Sequence, residues 1–152
     1  MNKSNDNSFL ECFEVTGKKE KSICFRIREN VFVTEMKMFE GSDVDSFDDE
    51  AIHIAVKDKD GIIGTVRVYR DEEGRWFGGR LAVNKGKRRG NAARMLVKKA
   101  EEIASRVGAD FLFAMVQEKN VNFFLKNGWN VEKGPVEHHK TIHYLMSVKT
   151  GK

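Results

Sequence analysis

The sequence predicts one mixed α/β or α+β domain, and three observations support this. The chain of 152 residues, 40% hydrophobic and 33% charged, has the size and composition of a single soluble domain with one core. Apolar and polar residues alternate over 52–57, which is the two-residue period of a half-buried strand. Over 93–107, apolar residues recur at three- and four-residue steps, which indicates one face of a helix. Strand and helix patterns therefore follow each other along one chain, as in mixed domains.

The first half of the chain is expected to form a helix and then an antiparallel meander. Ser22 can cap a helix whose apolar residues lie one turn apart. Turns at "DKDG" and "RDEEG" separate three segments with strand character, so these segments are expected to pair as neighbours. The three segments are "AIHIAVKD", "IIGTVRVY" and "RWFGGRLAV".

The second half is expected to add two helices and three strands. A helix from Asn91 ends at Gly108, since glycine commonly follows a helix C-terminus. The nearly continuous apolar run "DFLFAMV" indicates a strand buried on both faces. A helix over 118–127 and the strands "WNVE" and "TIHYLMSV" complete the order of helix, three or four strands, helix, strand, helix and two strands. Residues 1–152 form one domain in this prediction, with 1–8 and 150–152 flexible.

Composition argues against several classes of protein. No apolar run is long enough to span a bilayer and the segment "MNKSNDNS" is polar, so neither an anchor nor a signal peptide is expected and the chain is assigned to the cytoplasm. Cys12 and Cys24 lack CxxC spacing, which favours free thiols over a disulfide. The formal net charge of +4 is divided between a basic segment at 85–99 and an acidic one at 40–50. One segment therefore suits anions and the other suits cations.

A basic loop that contains glycine, "NKGKRRGNAARML" at 84–96, is the candidate ligand-binding segment. It follows a predicted strand and opens a predicted helix, where free N–H groups and the helix dipole bind anions. Gly90 lets the backbone approach a diphosphate closely, and Arg88 and Arg89 add charge. A Walker A loop and a dinucleotide fingerprint are excluded, since neither GK[ST] nor GxGxxG occurs there. A solvated basic turn is the alternative.

Two segments resemble the GCN5-related N-acetyltransferase (GNAT) superfamily. "LAVNKGKRRGNAARMLVKKA" is similar to its acyl-CoA-binding strand, loop and helix, and "VQEKNVNFFLKNGW" is similar to its later strand, helix and turn. Together with "GGRLAV" and "IHYLM", they resemble most closely a bacterial branch of nitrogen-starvation N-acetyltransferases, over roughly 22–148. The resemblance implies a mixed, mostly antiparallel central sheet that is flanked by helices and splayed between its fourth and fifth strands.

The resemblance also implies acetyl-CoA as co-substrate, and it implies which residues bind it. Backbone groups at 81–83 would hydrogen-bond the pantetheine arm and polarise the thioester carbonyl, with "FGG" before them permitting a bulge. The loop at 87–92 would bind the diphosphate, with Lys87 where the family usually has Gln or Arg. The implied cofactor-binding residues are Leu81, Ala82, Val83, Lys87, Arg88, Arg89, Gly90, Asn91, Ala92, Asn120 and Phe124.

The general acid that the family commonly uses is missing, because Phe124 stands where many relatives have a tyrosine. His143 and Tyr144 are the substitutes by resemblance. They point to opposite faces of the final strand, so only one of them can border the acceptor site, and His143 is expected there. Water, or departure of the thiolate without an acid, is the alternative. Glu35 is the third catalytic candidate.

The acceptor is expected beside the acidic loops, where carboxylates suit an ammonium-bearing substrate. His53 and Asp49 are the candidate substrate-binding residues. A structural role for His53 or His143 and a solvated acidic loop are the alternatives. No metal site is expected, because His138, His139 and His143 have no Cys or carboxylate nearby at ligand spacing.

These observations predict an acetyl-CoA-dependent N-acetyltransferase that transfers the acyl group directly to a primary amine of a small, amino-acid- or polyamine-like acceptor. An acyl-CoA-binding regulatory domain without efficient catalysis is the alternative, made credible by Phe124. A nucleic-acid-binding module that uses the cations at 85–99 is disfavoured, because the segment has no interleaved aromatic residues and no known motif. No nucleic acid or membrane partner is expected, and a homodimer is left open.

Overall fold

The computed structural model describes residues 9–151 and shows one mixed sheet with helices on both faces. The strands are β1 (Glu11–Glu14), β2 (Ile52–Asp58), β3 (Gly61–Arg70), β4 (Trp76–Val83), β5 (Phe111–Gln117), β6 (Asn130–His138) and β7 (Thr141–Lys149). Over the described residues they form a seven-stranded sheet in the order β1-β2-β3-β4-β5-β7-β6. Neighbours are antiparallel except β4 and β5, which are parallel. The predicted fold class is confirmed.

The helices are α1 (Lys18–Arg28), α2 (Ala92–Arg106) and α3 (Val121–Lys126). A π-helical segment, Glu29–Glu35, continues α1, and 3₁₀ turns cover Ser46–Asp49, Lys85–Lys87 and Glu118–Asn120. The expected start of α1 at Ser22 is wrong, because the helix begins after Gly17. Its first turn, "KKEK", has no apolar period, but Lys and Glu are good helix formers and extend the helix backwards.

The predicted meander is confirmed, since β2, β3 and β4 pair antiparallel in sequence. β1 is an additional strand that the sequence did not predict, and it pairs antiparallel with β2. Its four residues, "ECFE", are too few to show a period, so pairing with a neighbour decides its conformation. β6 extends the predicted strand "WNVE" to His138, because its polar residues pair with β7 as an exposed edge strand.

Helices cover both faces of the sheet. On one face, α2 packs on the main core, whose fully buried side chains include Ile54, Val68, Leu96, Ile103 and Leu112. On the other face, Ile27 of α1 and Phe32 of the π-helical segment pack with Ala82 of β4. The middle strands are therefore buried on both sides, as their apolar runs indicate. No helix within 9–151 has both the length and the apolar character needed to cross a membrane.

β4 and β5 meet at one end and separate towards the other. Phe77 and Phe113 form the single register pair between them in the described part of the chain, with ring centroids 5.7 Å apart. β5 pairs along its whole length with β7 on its other side, so the gap lies between β4 and β5 alone. The splay between the fourth and fifth strands that the resemblance implied is thus present.

A bulge in β4 follows the glycines of "FGG". Between the pairs Thr65–Ala82 and Arg67–Gly79, β4 has two residues where β3 has one. One of the two, Arg80, has φ of 53°, in the left-handed region that non-glycine residues rarely occupy. A bulge bends its strand and re-aims the side chains that follow, so β4 turns away from the regular ladder where it leaves β5.

The end of the described chain is tied to the loop before β5. Thr150 and Gly151 donate backbone N–H groups to the carbonyl oxygen of Asp110 at 2.8 and 3.0 Å, and the Thr150 hydroxyl donates to Ala109. These bonds hold two residues that the sequence predicted to be flexible. The other positions of that prediction, 1–8 and 152, lie outside the described residues.

An Arg–Asp network holds the acidic segment 40–50 against the sheet. Arg28 of α1 donates to Asp43 at 2.7 Å and to both oxygens of Asp48 at 2.8 and 2.9 Å. Arg67 of β3 donates to both oxygens of Asp45 at 2.6 and 2.9 Å and lies 2.9 Å from Asp48. The expectation that Asp45 and Asp48 belong to a cation-binding or solvated loop is therefore wrong, because arginines from α1 and β3 occupy these carboxylates.

The network keeps the Asp48 carboxylate ionised despite its burial. Burial opposes ionisation of Asp48, but the hydrogen bonds from Arg28 and from the backbone N–H of Asp45 outweigh it and hold the Asp48 pKa well below its usual value. Removing one member of such a network leaves an uncompensated buried charge, which costs more than the pair itself contributes.

We expect Arg28→Ala to lower the free energy of unfolding by about 3–5 kcal/mol, because Asp43 and Asp48 would then be buried without their main partner. Arg106→Ala is the matched control, since Arg106 makes an exposed ion pair with Glu14 and should cost less than about 1 kcal/mol. Urea unfolding followed by circular dichroism measures both values. Equal losses in the two variants would show that the network does not support the fold.

Candidate functional site

A cavity of about 140 Å³ lies between the separated halves of β4 and β5. Its walls are the β4 residues 78–81 and the β5 residues 114–117, together with side chains of α2, α3 and the β6–β7 turn. It lies beyond the carboxyl end of the contact between Phe77 and Phe113, where a mixed sheet typically binds its ligand.

The lining divides into an apolar part and a polar part. The apolar part includes Val97 and Ala100 of α2, Leu112 of β5, and Phe124 and Trp129. The polar part contains two arginines, three histidines, a tyrosine and two amides, namely Arg67, Arg80, His138, His139, His143, Tyr69, Gln117 and Asn120. No Asp or Glu is among the lining residues, all of which belong to the described chain. The cavity therefore offers hydrogen-bond donors and neutral rings but no carboxylate.

The three predicted cofactor-binding residues of β4 have different surroundings. Leu81 lines the cavity, whereas Ala82 and Val83 are buried among core residues. The Asn84 N–H donates to the carbonyl of Ile63, and hydrogen bonding alternates along an antiparallel pair, so the backbone groups of Val83 point away from β3. The Val83 N–H therefore faces the gap between β4 and β5, whereas the Val83 carbonyl accepts a hydrogen bond from Nε of Arg88.

Asn120 and Phe124, two further residues predicted to bind the cofactor, line the same cavity. Phe124 is almost fully buried and makes edge-to-face contacts with Phe123 and Trp129, with ring centroids 5.4 and 5.1 Å apart. Its ring carries no hydroxyl. Tyr69 is the one residue with a hydroxyl group among the lining residues of the described chain.

The basic loop between β4 and α2 is held by ion pairs of its own. Lys87 lies 2.7 Å from Asp58 and 2.9 Å from Asp60, in the turn between β2 and β3. These two carboxylates raise the Lys87 pKa. Arg88 donates its Nε to the Val83 carbonyl at 2.8 Å and makes a bidentate pair with Glu35. Lys87 and Arg88, two of the residues predicted to bind the diphosphate, therefore tie the loop to the β2–β3 turn and to Glu35.

The rest of the loop remains open to a ligand. Arg89, Gly90, Asn91 and Ala92 line a shallow polar cavity of about 310 Å³ at the start of α2. Asn91 immediately precedes the helix, so the N–H groups of its first turn have no partner within the helix itself. Arg89 makes no ion pair with any residue in the range 9–151. This arrangement can bind a diphosphate.

Glu35 and Tyr144, two of the predicted catalytic residues, do not line the central cavity. The hydrogen bond from Arg88 lowers the Glu35 pKa, so this carboxylate stays ionised and paired at the loop. Tyr144 packs against the main core on the face of β7 opposite to His143. The sequence predicted that only one of the neighbours His143 and Tyr144 borders the cleft. In the structure His143 lines the cavity and Tyr144 does not.

His143 is buried, and its Nδ1 has two neighbours on Thr141. Nδ1 lies 3.1 Å from the Thr141 carbonyl oxygen, which can only accept a hydrogen bond, and 3.2 Å from the Thr141 hydroxyl, which can donate or accept. The contact with the carbonyl favours the neutral tautomer that carries its hydrogen on Nδ1, and in that tautomer Nε2 is the proton-accepting nitrogen. Burial lowers the His143 pKa, so the ring is neutral at pH 7.

His53 and Asp49, the predicted substrate-binding residues, lie outside the cavity lining. His53 is buried in the other face of the sheet, with Nε2 3.1 Å from the Asp48 carbonyl and its ring 5.4 Å from that of Phe25. It has the structural role that was the alternative. Asp49 is exposed on the 3₁₀ turn that carries Asp48.

The polar side chains that the sequence did not select reach the cavity by two routes. Arg67 and Tyr69 are two residues apart on β3, and this spacing puts their side chains on the same face of the strand. His138 and His139 lie at the β6–β7 hairpin. The two turn residues are His139 and Lys140, with φ of 49° and 70°. A two-residue turn of this kind favours Asn or Gly, so "HHKT" gave no turn signal.

The three histidines form a cluster of neutral rings. The His138 ring centroid is 4.0 Å from that of His139 and 5.0 Å from that of His143. Burial, with smaller effects of the other two histidines, lowers the His138 pKa to about 4. Burial and then Arg80 lower the His139 pKa. In the described part of the chain, no three His, Cys, Asp or Glu side chains are arranged to hold a metal ion.

Comparisons with known proteins agree on one family. Residues 13–129 match the sequence model of the acetyltransferase (GNAT) family. An uncharacterized N-acetyltransferase of Bacillus subtilis, YjcF, is 29% identical over 119 residues, which is 77% of this chain and 84% of that protein.

Solved structures show the same fold. Escherichia coli ElaA superposes with a TM-score of 0.81 at 19% identity, covering 92% of this chain and 99% of ElaA. An acyl-CoA N-acyltransferase from Pseudomonas aeruginosa superposes with a TM-score of 0.78, also at 19% identity, covering 92% of this chain and 98% of that one.

Proposed function

The chain belongs to the acetyltransferase (GNAT) family and is an N-acetyltransferase, and from that premise we propose that it transfers the acetyl group of acetyl-CoA directly to a primary amine of a small molecule. The observation that carries this proposal is the cavity between β4 and β5, which is apolar on one side and polar on the other. An extended acyl chain and a polar acceptor could meet there. Resemblance of "GGRLAV", "VQEKNVNFFLKNGW" and "IHYLM" supports the nitrogen-starvation branch within the family.

The donor would bind along the β4 side of the gap. The N–H of Val83 faces the gap and suits a hydrogen bond to a carbonyl oxygen of a pantetheine arm, while the Val83 carbonyl is already bound by Arg88. Leu81, Val97 and Phe124 provide apolar contact for the arm and the acyl group. The diphosphate would lie on Gly90 and the first turn of α2, with Arg89 as the cation that is not engaged elsewhere in the described chain.

Direct transfer needs a neutral amine and an exit for its proton. The acceptor nitrogen forms a bond to the thioester carbonyl carbon, the carbon–sulfur bond breaks, and a proton from the amine finally rests on the departing sulfur. Nε2 of His143 is the proton acceptor we assign to this step, since its ring is neutral at pH 7 and lines the cavity. Holding amine and thioester together in one cavity also accelerates the transfer, because the reacting atoms no longer have to meet from solution.

Tyr69 is the proton donor we assign to the departing thiolate, and the proton that His143 takes from the amine then returns to Tyr69, so that both groups are restored. It has the only hydroxyl among the lining residues of the described chain, and burial raises its pKa, so it remains protonated at neutral pH. It stands on β3, whereas Phe124 stands on α3, and both line the cavity. The missing tyrosine at Phe124 would then be replaced from another strand.

An acceptor screen with acetyl-CoA, read as free thiol, tests the proposed function. We expect release above the hydrolysis background with at least one class of primary amine and the corresponding N-acetyl product by mass spectrometry. Binding of CoA without release for any amine class would instead favour a regulatory acyl-CoA-binding domain.

We expect Gly90→Val nearly to abolish CoA binding, because a branched side chain blocks the approach of a diphosphate to the backbone. Arg89→Ala should weaken binding about tenfold at low salt and less at high salt, since it removes one charged contact. Isothermal titration calorimetry measures both. Arg106→Ala, at the far end of α2, is the control and should bind CoA normally. Unchanged affinity in folded Gly90→Val would refute the cofactor site.

We expect His143→Ala to lower kcat about a hundredfold with little change in CoA affinity, as for loss of a positioned base. The wild-type rate should fall on acidification through the lowered His143 pKa, and this limb should disappear in the variant. Tyr144→Phe should keep the wild-type rate because Tyr144 lies on the other face, whereas Tyr69→Phe should lower it. Full turnover in His143→Ala would exclude it as the base.

A further inference from the structure

The polar end of the cavity has hydrogen-bond donors without a partner in the described chain, and it has no carboxylate. Arg67 and Arg80 are the charged residues of its lining within the described chain. The nearest carboxylate between them, Asp45, already accepts from both arginines and from the backbone N–H of Phe47. Asp45 therefore has no oxygen left for a positively charged ligand.

Arg67 has an unused donor. Its side chain is 3% exposed, and its Nη atoms bind Asp45 and Asp48. Its Nε is the single buried side-chain nitrogen or oxygen without a hydrogen-bond partner in the described residues. An unpaired buried donor is unfavourable because it has lost its hydrogen bonds to water, and a ligand oxygen would satisfy it.

Arg80 stands beside it. Nη2 of Arg80 lies 3.3 Å from the Asp45 oxygen that also binds Nη2 of Arg67 at 2.9 Å, so the two guanidinium groups are neighbours. Arg80 uses Nε and Nη2 for Asp43 and Asp45, which leaves Nη1 without a partner among residues 9–151. Its guanidinium rests 4.5 Å from the centre of the Phe39 ring, which also contacts His139.

We infer that the acceptor carries a carboxylate and that Arg67 and Arg80 bind it, so that the acetylated amine belongs to an amino acid or a similar amino carboxylate. The inference rests on the proposed function, because it names the acceptor class of the same cavity. Arginine matches a carboxylate in planar, hydrogen-bonded geometry, and such charge-assisted bonds are about twice as strong as neutral ones.

The same charges disfavour a polyamine. A second ammonium group in this cavity would approach two guanidinium groups and three neutral imidazoles, with no lining carboxylate to compensate it. A carboxylate would also hold the molecule at one end, so that its amine reaches the histidine cluster in a fixed orientation.

The test compares acceptors that differ only in the anionic group. Amino acids with several side chains are each paired with the corresponding amino-acid amide and with the amine that lacks the group, and 1,4-diaminobutane represents polyamines. We expect the amino acid of a pair to have a kcat/KM at least tenfold above that of its amide, mainly through KM. The amide has the less basic amine and is favoured chemically, so this preference reports on binding.

Variants test whether Arg80 causes the preference for the amino acid over its amide. In Arg80→Gln, the ratio of kcat/KM between amino acid and amide should fall at least fivefold, while Arg70→Gln, an exposed arginine on β3, should keep the wild-type ratio. The ratio is an internal control, since partial unfolding of Arg80→Gln lowers both rates equally. The wild-type comparison stands on its own if the variant does not fold.

The outcomes separate the two proposals. Turnover of amides, simple amines or 1,4-diaminobutane as fast as amino acids overturns the carboxylate inference and leaves N-acetyl transfer intact. No thiol release with any acceptor overturns the proposed function and the inference together. An amino-acid preference that is unchanged in folded Arg80→Gln shows that a different residue binds the carboxylate, which also overturns the assignment.

Discussion

The structure depends on the separation of β4 and β5 beyond the contact of Phe77 with Phe113. A parallel pair that continued would satisfy the backbone groups of both strands and fill the space between them. Here β5 is paired fully with β7, and β4 bends at the bulge around Arg80, so the two strands leave a gap at the centre of the sheet. The gap supplies both the cavity and an unpaired strand edge for a bound chain.

The Arg–Asp network then determines the chemistry of one wall of the gap. Arg28 draws Asp43 and Asp48 into the protein, and the same segment brings Asp45 to Arg67 and Arg80. Three arginines and three aspartates neutralise one another, but the carboxylates face the network while two arginines face the cavity. A segment that is strongly acidic in the sequence thus produces a cavity wall that contains donors only.

Local signals in the sequence were sufficient for much of the fold. Apolar periods identified α2, β2 to β5 and β7, and the loop before α2 was recognised from its glycine and basic residues. Alternation on β7 also placed His143 rather than Tyr144 at the cavity. The errors arose where distant contacts decide the outcome. Asp48 and Asp45 pair with arginines 20 and 22 positions away, and Lys87 pairs with Asp58, 29 positions away. No local pattern reveals such partners.

Many basic residues surround this site because some of them form ion pairs within the protein and others remain for ligand binding. Lys87 and Arg88 are engaged by carboxylates from other elements, so they hold the loop in one shape before any ligand arrives. Preorganisation of this kind reduces the entropy lost when an anion binds to the backbone of α2. At the other end of the gap, Arg67 and Arg80 are fixed by aspartates in the same way, while burial keeps His138, His139 and His143 neutral beside them. Fixed cations and neutral bases in one cavity suit an acceptor that is held by its anionic end and gives up a proton at its amine.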